Sequence, residues 1–351
     1  MPRDLYDKRI DCAIENSIDV SNTMSPPRNL HMIINPTSAG GRTAMLQSDI
    51  LKLVEQQIGT TYSVCITEQP MHAVTSAAEA LEQGCTKFLV VGGNGTINEV
   101  INGLMQNGME TSRTNTLGII SSGSGEGLAR SLGLPRELEE QIRVALWGKP
   151  RNIDVAKVSY TDSKGVRKSR LFINESQIGI GAEVVRSTTQ HRKRVGGLIA
   201  YGLRTLSLVF RYQSPCMKIV VDGTFETTRK VMGIAIGNGA ITAGGMRLTP
   251  KADLNDGLLN VLIINEQKLP QRVRSFLSIY SGHHGEAPAF DYVNGTSIAV
   301  RSDAPVGLSA DGEFLGFLPC SIELLPSSIR ILRPTHEEVH HEYGFEQITA
   351  T

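Results

Sequence analysis

The chain has few cysteines and none of the spacings that mark a disulfide framework or a zinc site. Five cysteines are scattered over its 351 residues, at Cys12, Cys65, Cys85, Cys216 and Cys320. An odd, scattered set of this kind argues against structural disulfides and against a tetrahedral metal centre. We therefore expect a reducing, cytoplasmic compartment.

Long apolar runs and an excess of either charge are also missing. No stretch reaches the roughly 18 uninterrupted apolar residues that a membrane-spanning helix needs. The most apolar stretch, GLIAYGLRTLSLVF, is broken by Arg204. The N-terminus carries acids and has no unbroken apolar core, which argues against a secretory signal. Lys+Arg and Asp+Glu number 35 each, so the net charge predicts no polyanionic partner such as a nucleic acid.

What the chain does contain is a regular alternation of apolar runs and helix-like segments. Residues 1–28 are expected to form a flexible extension before the first strand, and the alternation follows as LHMIIN, Thr43–Ile58, TYSVCIT, SAAEALEQG and KFLVVGG. This βαβαβ order predicts a parallel sheet with helices on its faces. A chain of this length fits two domains of about 100 to 200 residues each.

The pattern changes after Gly148-Lys149-Pro150, where strand-like runs begin to dominate. One strong helical stretch, Val195–Phe210, interrupts them. The sequence predicts an α/β protein with an N-terminal parallel-sheet lobe over 29–150 and a C-terminal β-rich, β-sandwich-like lobe over 151–333. We expect a cleft between the lobes, a last strand that returns to the first lobe, and a C-terminal tail over 334–351.

Three glycine-rich segments follow strands of the predicted parallel sheet: NPTSAGGR, GGNGT and SSGSGEG. Glycine lets a phosphate approach the backbone, and a helix N-terminus presents unpaired N–H groups to an anion. Ligands of such folds bind beyond the carboxyl ends of the strands. One such loop is equally compatible with a tight turn that binds nothing, but three at one sheet edge predict a phosphate-binding site.

These segments resemble the diacylglycerol kinase catalytic family, which includes diacylglycerol, sphingosine and ceramide kinases. NPTSAGG is similar to the family's NPxSGxG, GGNGTINEVINGL to GGDGTxNEVxNGL, and GSGEGLARSLGLP to GTGNDxARxLGxP. In the second lobe, IGNGAITAGGMRLTPKADLNDGLLNV resembles GNGxxxGGGxxxxPxAxxxDGxLDV, and SADGEFLG resembles the DGE segment. The resemblance runs from about Leu30 to Leu332 and in size is closest to the bacterial lipid kinases.

The resemblance implies an ATP-dependent lipid kinase in which the N-terminal lobe binds the nucleotide and a lipid hydroxyl receives the γ-phosphoryl group. It implies Glu313 of the DGE segment as the general base, with Asp311 beside it. Taken alone, Asp-Gly also suits a simple hairpin turn. The implied nucleotide contacts are Asn35, Thr37, Ser38, Thr67, Gly92, Gly93, Asn94, Gly95, Thr96, Asn98 and Ser124.

Structural Mg²⁺ is implied in the segment PKADLNDGLL. Asp253 and Asp256 match positions at which the bacterial members hold the ion, assisted by backbone carbonyls at Asp253 and Leu258. Hard oxygen ligands of this kind suit Mg²⁺. A second ion would bridge the phosphates of ATP.

Two residues depart from the family pattern. The family has Asp in GGDGT and Asn in GTGN, whereas this chain has Asn94 and Glu126. Because both loops leave neighbouring strand ends and face one nucleotide, we expect Glu126 to restore the charge that Asn94 lacks, which adds both to the catalytic set. The alternative is that Asn94 disables the enzyme and Glu126 is a solvated loop residue.

The resemblance leaves the acceptor open. Diacylglycerol is favoured and a sphingoid base comes next, because GSGEGLA also resembles the sphingosine kinase segment GSGNALA. A catalytically weak nucleotide- or lipid-binding regulator and an NAD-kinase-like enzyme are the alternatives. The expected partners are a membrane lipid substrate and a peripheral membrane surface. The basic run His191–Arg194, beside the apolar face of Val195–Phe210, fits either docking on anionic lipid or packing in the core.

Overall fold

The computed structural model describes residues 29–335 apart from 107, 109–113, 123–126, 163, 192–206, 209, 283 and 285–286. The helix predicted at Val195–Phe210 therefore lies almost entirely outside the described residues. The N-terminal extension and nearly all of the C-terminal tail lie outside them as well.

The first lobe alternates strands and helices as the sequence predicts. Its strands are β1 (Leu30–Ile34), β2 (Tyr62–Ile66), β3 (Lys87–Gly92) and β4 (Thr116–Ser121). Its helices are α1 (Arg42–Ile58), α2 (His72–Glu82), α3 (Asn94–Leu104), α4 (Gly127–Ser131) and α5 (Leu138–Trp147). The strands pair in parallel in the order β2, β1, β3, β4, so their carboxyl ends lie at one edge.

Helices cover both faces of this sheet, because successive side chains of a strand point to opposite sides. Met32 and Ile34 of β1 pack with α1 and α5, whereas Ile33 packs with α2 and α3. All three side chains are fully buried. Strands buried on both faces are typical of parallel sheets and explain the unbroken apolar run LHMII.

The second lobe is mainly β-structure. Its first strands are β5 (Lys149–Thr161), β6 (Arg167–Phe172), β7 (Glu175–Gly179), β8 (Cys216–Val221) and β9 (Phe225–Gly237). The remaining strands are β10 (Leu259–Asn265), β11 (Phe290–Gly295), β12 (Ser297–Arg301), β13 (Gly307–Ala310) and β14 (Glu313–Arg333). Two helices accompany them, α6 (Ile180–His191) and α7 (Leu269–Ser281).

Long strands give this lobe its sandwich-like form. The first half of β9 pairs with β8, and its second half pairs with β7 and β10, so one strand belongs to two layers. The core between the layers is a single apolar cluster that includes Phe172, Ile234, Val261 and Ile322. The predicted β-rich lobe is therefore confirmed.

The last strand returns to the first lobe, as the sequence predicts. β14 pairs antiparallel with β5 over most of its length. Near its end it pairs in parallel with β4, with Arg330 opposite Thr116 and Ile331 opposite Leu117. This strand begins at Glu313 and ends inside the first-lobe sheet, so it links the DGE segment physically to the parallel strands.

The helical content predicted for the second lobe is wrong in one respect. Only Val195–Phe210 was expected to be helical, whereas α6 and α7 also form. The β-branched residues of α6, among them Ile180, Val184 and Val185, favour strands locally, and packing against the sheet overrides that preference. The run SRLFINESQIG breaks between Phe172 and Glu175 into β6 and β7.

Within the described residues, no helix is both long enough and apolar enough to cross a membrane.

A close approach between β4 and α5 gives a test of the first-lobe packing. A Cβ added at Gly118 would lie 2.1 Å from the backbone oxygen of Ala145. Because backbone cannot move aside cheaply, Gly118→Ala should lower the free energy of unfolding by about 3 kcal/mol. Urea denaturation measures this change.

The control for that measurement is Gly165→Ala, in the turn between β5 and β6. There an added Cβ meets nothing within 4 Å, although φ is +79°. The expected cost is only the left-handed strain of about 1–2 kcal/mol. Equal effects of the two substitutions would contradict the proposed contact between β4 and α5.

Candidate active site

The glycine-rich loops at the carboxyl edge of the parallel sheet are joined by side-chain hydrogen bonds. Asn35, which follows β1, donates from Nδ2 to Oγ1 of Thr96, 2.9 Å away in the first turn of α3. Its Oδ1 accepts from the N–H and the hydroxyl of Thr37, at 3.0 and 2.8 Å. Asn35 therefore fixes the NPTS loop against the GGNGT loop.

A cluster of three hydroxyls connects the NPTS loop to the end of β4. The hydroxyl of Thr43 lies 2.5 Å from that of Ser38 and 2.6 Å from that of Ser122. The N–H of Ser122 donates to the carbonyl of Gly92 at 3.2 Å. Thr43 and Ser122 were not among the residues expected at the site, and only their place beside the glycine motifs marks them in the sequence.

Other expected nucleotide contacts also lie at this edge. Thr67 follows β2 and donates its N–H to the carbonyl of Ile34 at 2.8 Å. Gly92 ends β3, Gly93 precedes α3, and Asn94 is its first residue. The segment that the sequence predicts to bind phosphate thus forms the N-terminus of α3. Ser124 and Glu126 lie outside the described residues, so the exchange of charge between Asn94 and Glu126 stays a prediction.

The DGE segment forms a two-residue hairpin turn that carries Glu313. Ala310 pairs with Glu313, and both central residues have positive φ, 45° at Asp311 and 79° at Gly312. Asp-Gly is a preferred sequence for such turns. The hairpin interpretation and the catalytic interpretation of this segment are therefore compatible, because the turn is what presents Glu313.

Glu313 lies next to the GGNGT loop although the two are distant in sequence. Its Oε1 is 3.3 Å from the position that a Cβ would take at Gly95. A glycine at this position is what allows a second-lobe carboxylate to come so close to the phosphate-type loop. The structure thus brings together two motifs that the sequence predicts to share a site.

One cation holds the other oxygen of Glu313. Nη1 of Arg170, on β6, lies 2.7 Å from Oε2, and the side chain of Glu313 is 40% exposed. Burial raises the pKa of Glu313 above its usual value, and the Glu99 and Asp311 carboxylates raise it further. Arg170 acts in the opposite direction and favours the ionised carboxylate.

Asp311, expected beside Glu313, lies two residues before it in the hairpin turn. Its carboxylate is buried and accepts four hydrogen bonds, from Nδ2 of Asn98 at 2.8 Å and from the N–H groups of Ile173, Asn174 and Glu175 at 2.9–3.1 Å. Burial raises the pKa of Asp311, whereas these four donors favour its ionised form. Asp311 holds the turn and the break between β6 and β7 in place.

Asn98, expected as a nucleotide contact, is buried and uses its side-chain amide for contacts with the second lobe. Its Nδ2 donates to Asp311 and to the carbonyl of Leu171, each at 2.8 Å, which uses both N–H groups of the amide. Its Oδ1 accepts from Nε of Arg170 and from Nδ2 of Asn102. Asn98 therefore links the first lobe to the second. Asn102, one helical turn further along α3, also bonds the backbone of Leu171 in the second lobe. It was not among the residues that the sequence predicted.

The acidic segment PKADLNDGLL of the second lobe offers oxygen donors of the kind that Mg²⁺ prefers. Asp256 lies near the buried Asp154, and burial together with the negative charges of Asp253 and Asp154 raises the pKa of Asp256. Oδ2 of Asp154 accepts from the N–H of Gly257 at 2.8 Å. Across the described part of the chain, no three His, Cys, Asp or Glu side chains form a metal cluster. A site here therefore needs backbone carbonyls, as the resemblance implies.

Comparison with known proteins identifies the family of the chain. Residues 29–158 match the diacylglycerol kinase catalytic domain, and residues 175–333 match the YegS C-terminal NAD kinase beta sandwich-like domain. A Chromohalobacter salexigens protein described as "Probable lipid kinase YegS-like" is 31% identical over 80% of this chain and 86% of its own length. The chain belongs to the diacylglycerol kinase catalytic family.

Two further relatives show how far the likeness extends. A "Diacylglycerol kinase" of Staphylococcus saprophyticus is 28% identical over 91% of this chain and 99% of its own length. The crystal structure of a diacylglycerol kinase from Bacillus anthracis has a TM-score of 0.67 at 22% identity, covering 87% of this chain and 97% of that one. The family members thus share both lobes with this chain.

The buried carboxylate gives a test of how the lobes are joined. Asp311→Asn should lower the free energy of unfolding by about 2–4 kcal/mol, because an amide group cannot accept from all four donors. Turnover should fall with it, since Asp311 holds the turn that presents Glu313. Urea denaturation and a kinase assay measure the two effects.

Asp303→Asn is the matched control, because Asp303 is an exposed aspartate of the same lobe. Its stability should stay within about 0.5 kcal/mol of the parent. An Asp311→Asn protein as stable as this control would show that the four hydrogen bonds do not stabilise the fold.

Proposed function

We propose that the protein is an ATP- and Mg²⁺-dependent lipid kinase that transfers the γ-phosphoryl group to a lipid hydroxyl. The observation that carries the proposal is the approach of Glu313 to Gly95 of the GGNGT loop, at 3.3 Å from the Cβ position. A carboxylate from one lobe and a phosphate-type loop from the other thereby meet at one point. Phosphoryl transfer needs this pairing of a base with a phosphate cradle.

The nucleotide is assigned to the carboxyl edge of the first-lobe sheet. The glycines of the GGNGT loop leave room for phosphate, and the first N–H groups of α3 face it with the positive end of the helix dipole. Asn35, Thr37 and Ser38 form the opposite wall, next to Thr67. The hydrogen bonds among these loops hold them in one arrangement before any ligand binds.

Glu313 is assigned as the general base. Its Oε2 is held by Arg170, and its Oε1 faces the glycine loop, so Oε1 is the atom placed to take the proton of an acceptor hydroxyl. An alcohol is a weak nucleophile until a positioned base removes its proton during transfer. Asp311, Asn98 and Arg170 are positioning residues, because they act through Glu313 and its turn.

Magnesium is assigned in two places. Asp253, Asp256 and the backbone at Leu258 would hold a structural ion, since the clustered carboxylates there leave negative charge that a cation neutralises. Mg²⁺ bound with ATP supplies charge neutralisation on the phosphates during transfer.

A membrane lipid is the proposed acceptor, with diacylglycerol first and a sphingoid base next. The support is the family, because the relatives that span most of this chain carry the names diacylglycerol kinase and lipid kinase. With an acceptor of this kind, the proposed enzyme acts at the cytoplasmic face of a membrane.

A substrate panel tests the proposal. The full chain is incubated with labelled ATP and diacylglycerol, sphingosine, ceramide or NAD, with and without Mg²⁺. We expect Mg²⁺-dependent labelling of a lipid, and Glu313→Gln should lower kcat about 10²- to 10⁴-fold with ATP affinity little changed. Labelling of NAD alone, or of none of the four, would contradict the proposal. Full turnover by Glu313→Gln would remove Glu313 from the chemistry.

The Arg170–Glu313 ion pair predicts a shift in the pH profile. The base must be ionised to act, so activity rises with pH through the pKa of Glu313 and is retained above it. Arg170 lowers that pKa, hence Arg170→Met should raise it and move the acid limb of the kcat profile to higher pH.

Arg167→Met is the control for the pH profile, since Arg167 lies on the same strand, is exposed and carries the same charge. Its acid limb should coincide with that of the parent. If the limbs of both variants coincide with the parent's, Arg170 does not set the ionisation of the base.

A further inference from the structure

The described part of the second lobe exposes large apolar side chains close to one another, outside the proposed active site. Leu269 and Leu277 of α7 are 50% and 64% exposed, and Phe210 is 43% exposed. The two leucines are eight residues apart and therefore lie on one face of the helix. Nη1 of Arg272 donates to the carbonyl of Tyr212 at 2.9 Å, which ties the segment of Phe210 to α7. We call Phe210, Leu269 and Leu277 the apolar patch.

Cations surround the apolar patch. Arg211, Lys268 and Arg274 are exposed, and none of them forms a salt bridge with another described residue. The 13 residues of α7 include no Asp or Glu. The nearest acid along the chain is Glu266, before the helix starts. The surface therefore combines exposed apolar side chains with an excess of positive charge, since three cations outnumber the one exposed acid, Glu266.

The apolar patch is connected to the proposed nucleotide site by a short series of contacts. The N–H of Arg247 donates to the carbonyl of Ile279 on α7 at 3.1 Å. The same loop reaches α4, where a Cβ at Gly127 would lie 2.7 Å from the carbonyl of Ile241. α4 directly follows the predicted phosphate loop in the sequence. The apolar patch therefore lies on the lobe that carries Glu313, the proposed base. The contacts through this loop link it to the proposed site between the lobes.

We propose that the apolar patch and its three flanking cations form a docking surface for an anionic phospholipid bilayer. Exposed leucine and phenylalanine insert at the level of the head groups, and Lys and Arg at the rim bind the negative lipid phosphates. Charge complementarity selects this occupant, since a second copy of the chain would bring the same positive charges together across the interface. The docking surface deepens the proposed lipid kinase function and rests on it only for the location of the acceptor.

Vesicle cosedimentation tests the docking surface without any catalysis. The full chain, without ATP, is mixed with vesicles of phosphatidylcholine alone or of phosphatidylcholine with phosphatidylglycerol. We expect preferential binding to the anionic vesicles, weakened by salt. The double variant Leu277→Ser, Arg274→Gln should lower the partition coefficient about fiftyfold, from about fivefold for one cation at an anionic surface and about tenfold for one leucine.

The matched control is Met45→Ser, Lys52→Gln on α1. Met45 is 80% exposed and Lys52 is exposed, so the same classes of side chain are removed from the other lobe. The control should bind like the parent. Equal loss in both double variants, or no loss in either, would overturn the proposal. Self-association without vesicles that only the Leu277, Arg274 variant abolishes would assign the surface to a second copy instead.

Failure of the docking surface is distinguishable from failure of the kinase function. With short-chain acceptor in detergent micelles, the Leu277→Ser, Arg274→Gln variant should keep the turnover of the parent, because neither residue contacts the proposed active site. If parent and variant are both active in micelles and bind vesicles equally, the kinase function stands and the docking surface is contradicted. If the parent binds anionic vesicles selectively but phosphorylates no lipid, the docking surface stands and the kinase function is contradicted.

Discussion

The buried carboxylate of Asp311 is the interaction on which the arrangement of the two lobes depends. It accepts from Asn98, which belongs to α3 of the first lobe, and from three successive N–H groups of the second lobe. A buried anion is tolerated only when donors replace the water that it has lost, and here four do so. Asp311, which carries this buried carboxylate, is also the first residue of the turn that presents Glu313. The same residue therefore both connects the two lobes and positions Glu313, the proposed base.

Around this point, the chain uses polar contacts wherever apolar packing cannot fix a position. The first-lobe sheet is buried on both faces, but apolar packing gives no directional control at the sheet edge. Asn35, Thr43 and Ser122 supply it, because each joins two loops through hydrogen bonds with defined geometry. Because glycine has no side chain, the GGNGT loop can approach Glu313 closely. Hydrogen bonds from the neighbouring amides and hydroxyls fix the positions of the loops.

The sequence predicted the parts of the structure that are encoded locally. Apolar runs such as LHMII and the helix pattern at Thr43–Ile58 specified the parallel lobe, and the glycine motifs indicated its proposed binding edge. It could not predict that Asn98 points to the second lobe, since its partners Leu171 and Asp311 are 73 and 213 residues away. Arg170 gave no signal for the same reason. The helices α6 and α7 were missed because packing, more than local propensity, stabilises them.

The same contacts couple the position of Glu313, the proposed base, to its charge. Arg170 bonds Oε2 of Glu313 and, through Nε, Oδ1 of Asn98, so one guanidinium connects the carboxylate to α3. Burial beside Glu99 and Asp311 favours the neutral acid, and the guanidinium opposes it. A change in the separation of the lobes would therefore alter the geometry of the base and its ionisation together. Because Asp311 restrains that separation from within the same turn, the ionisation of Glu313 depends on a residue that is not itself the proposed base.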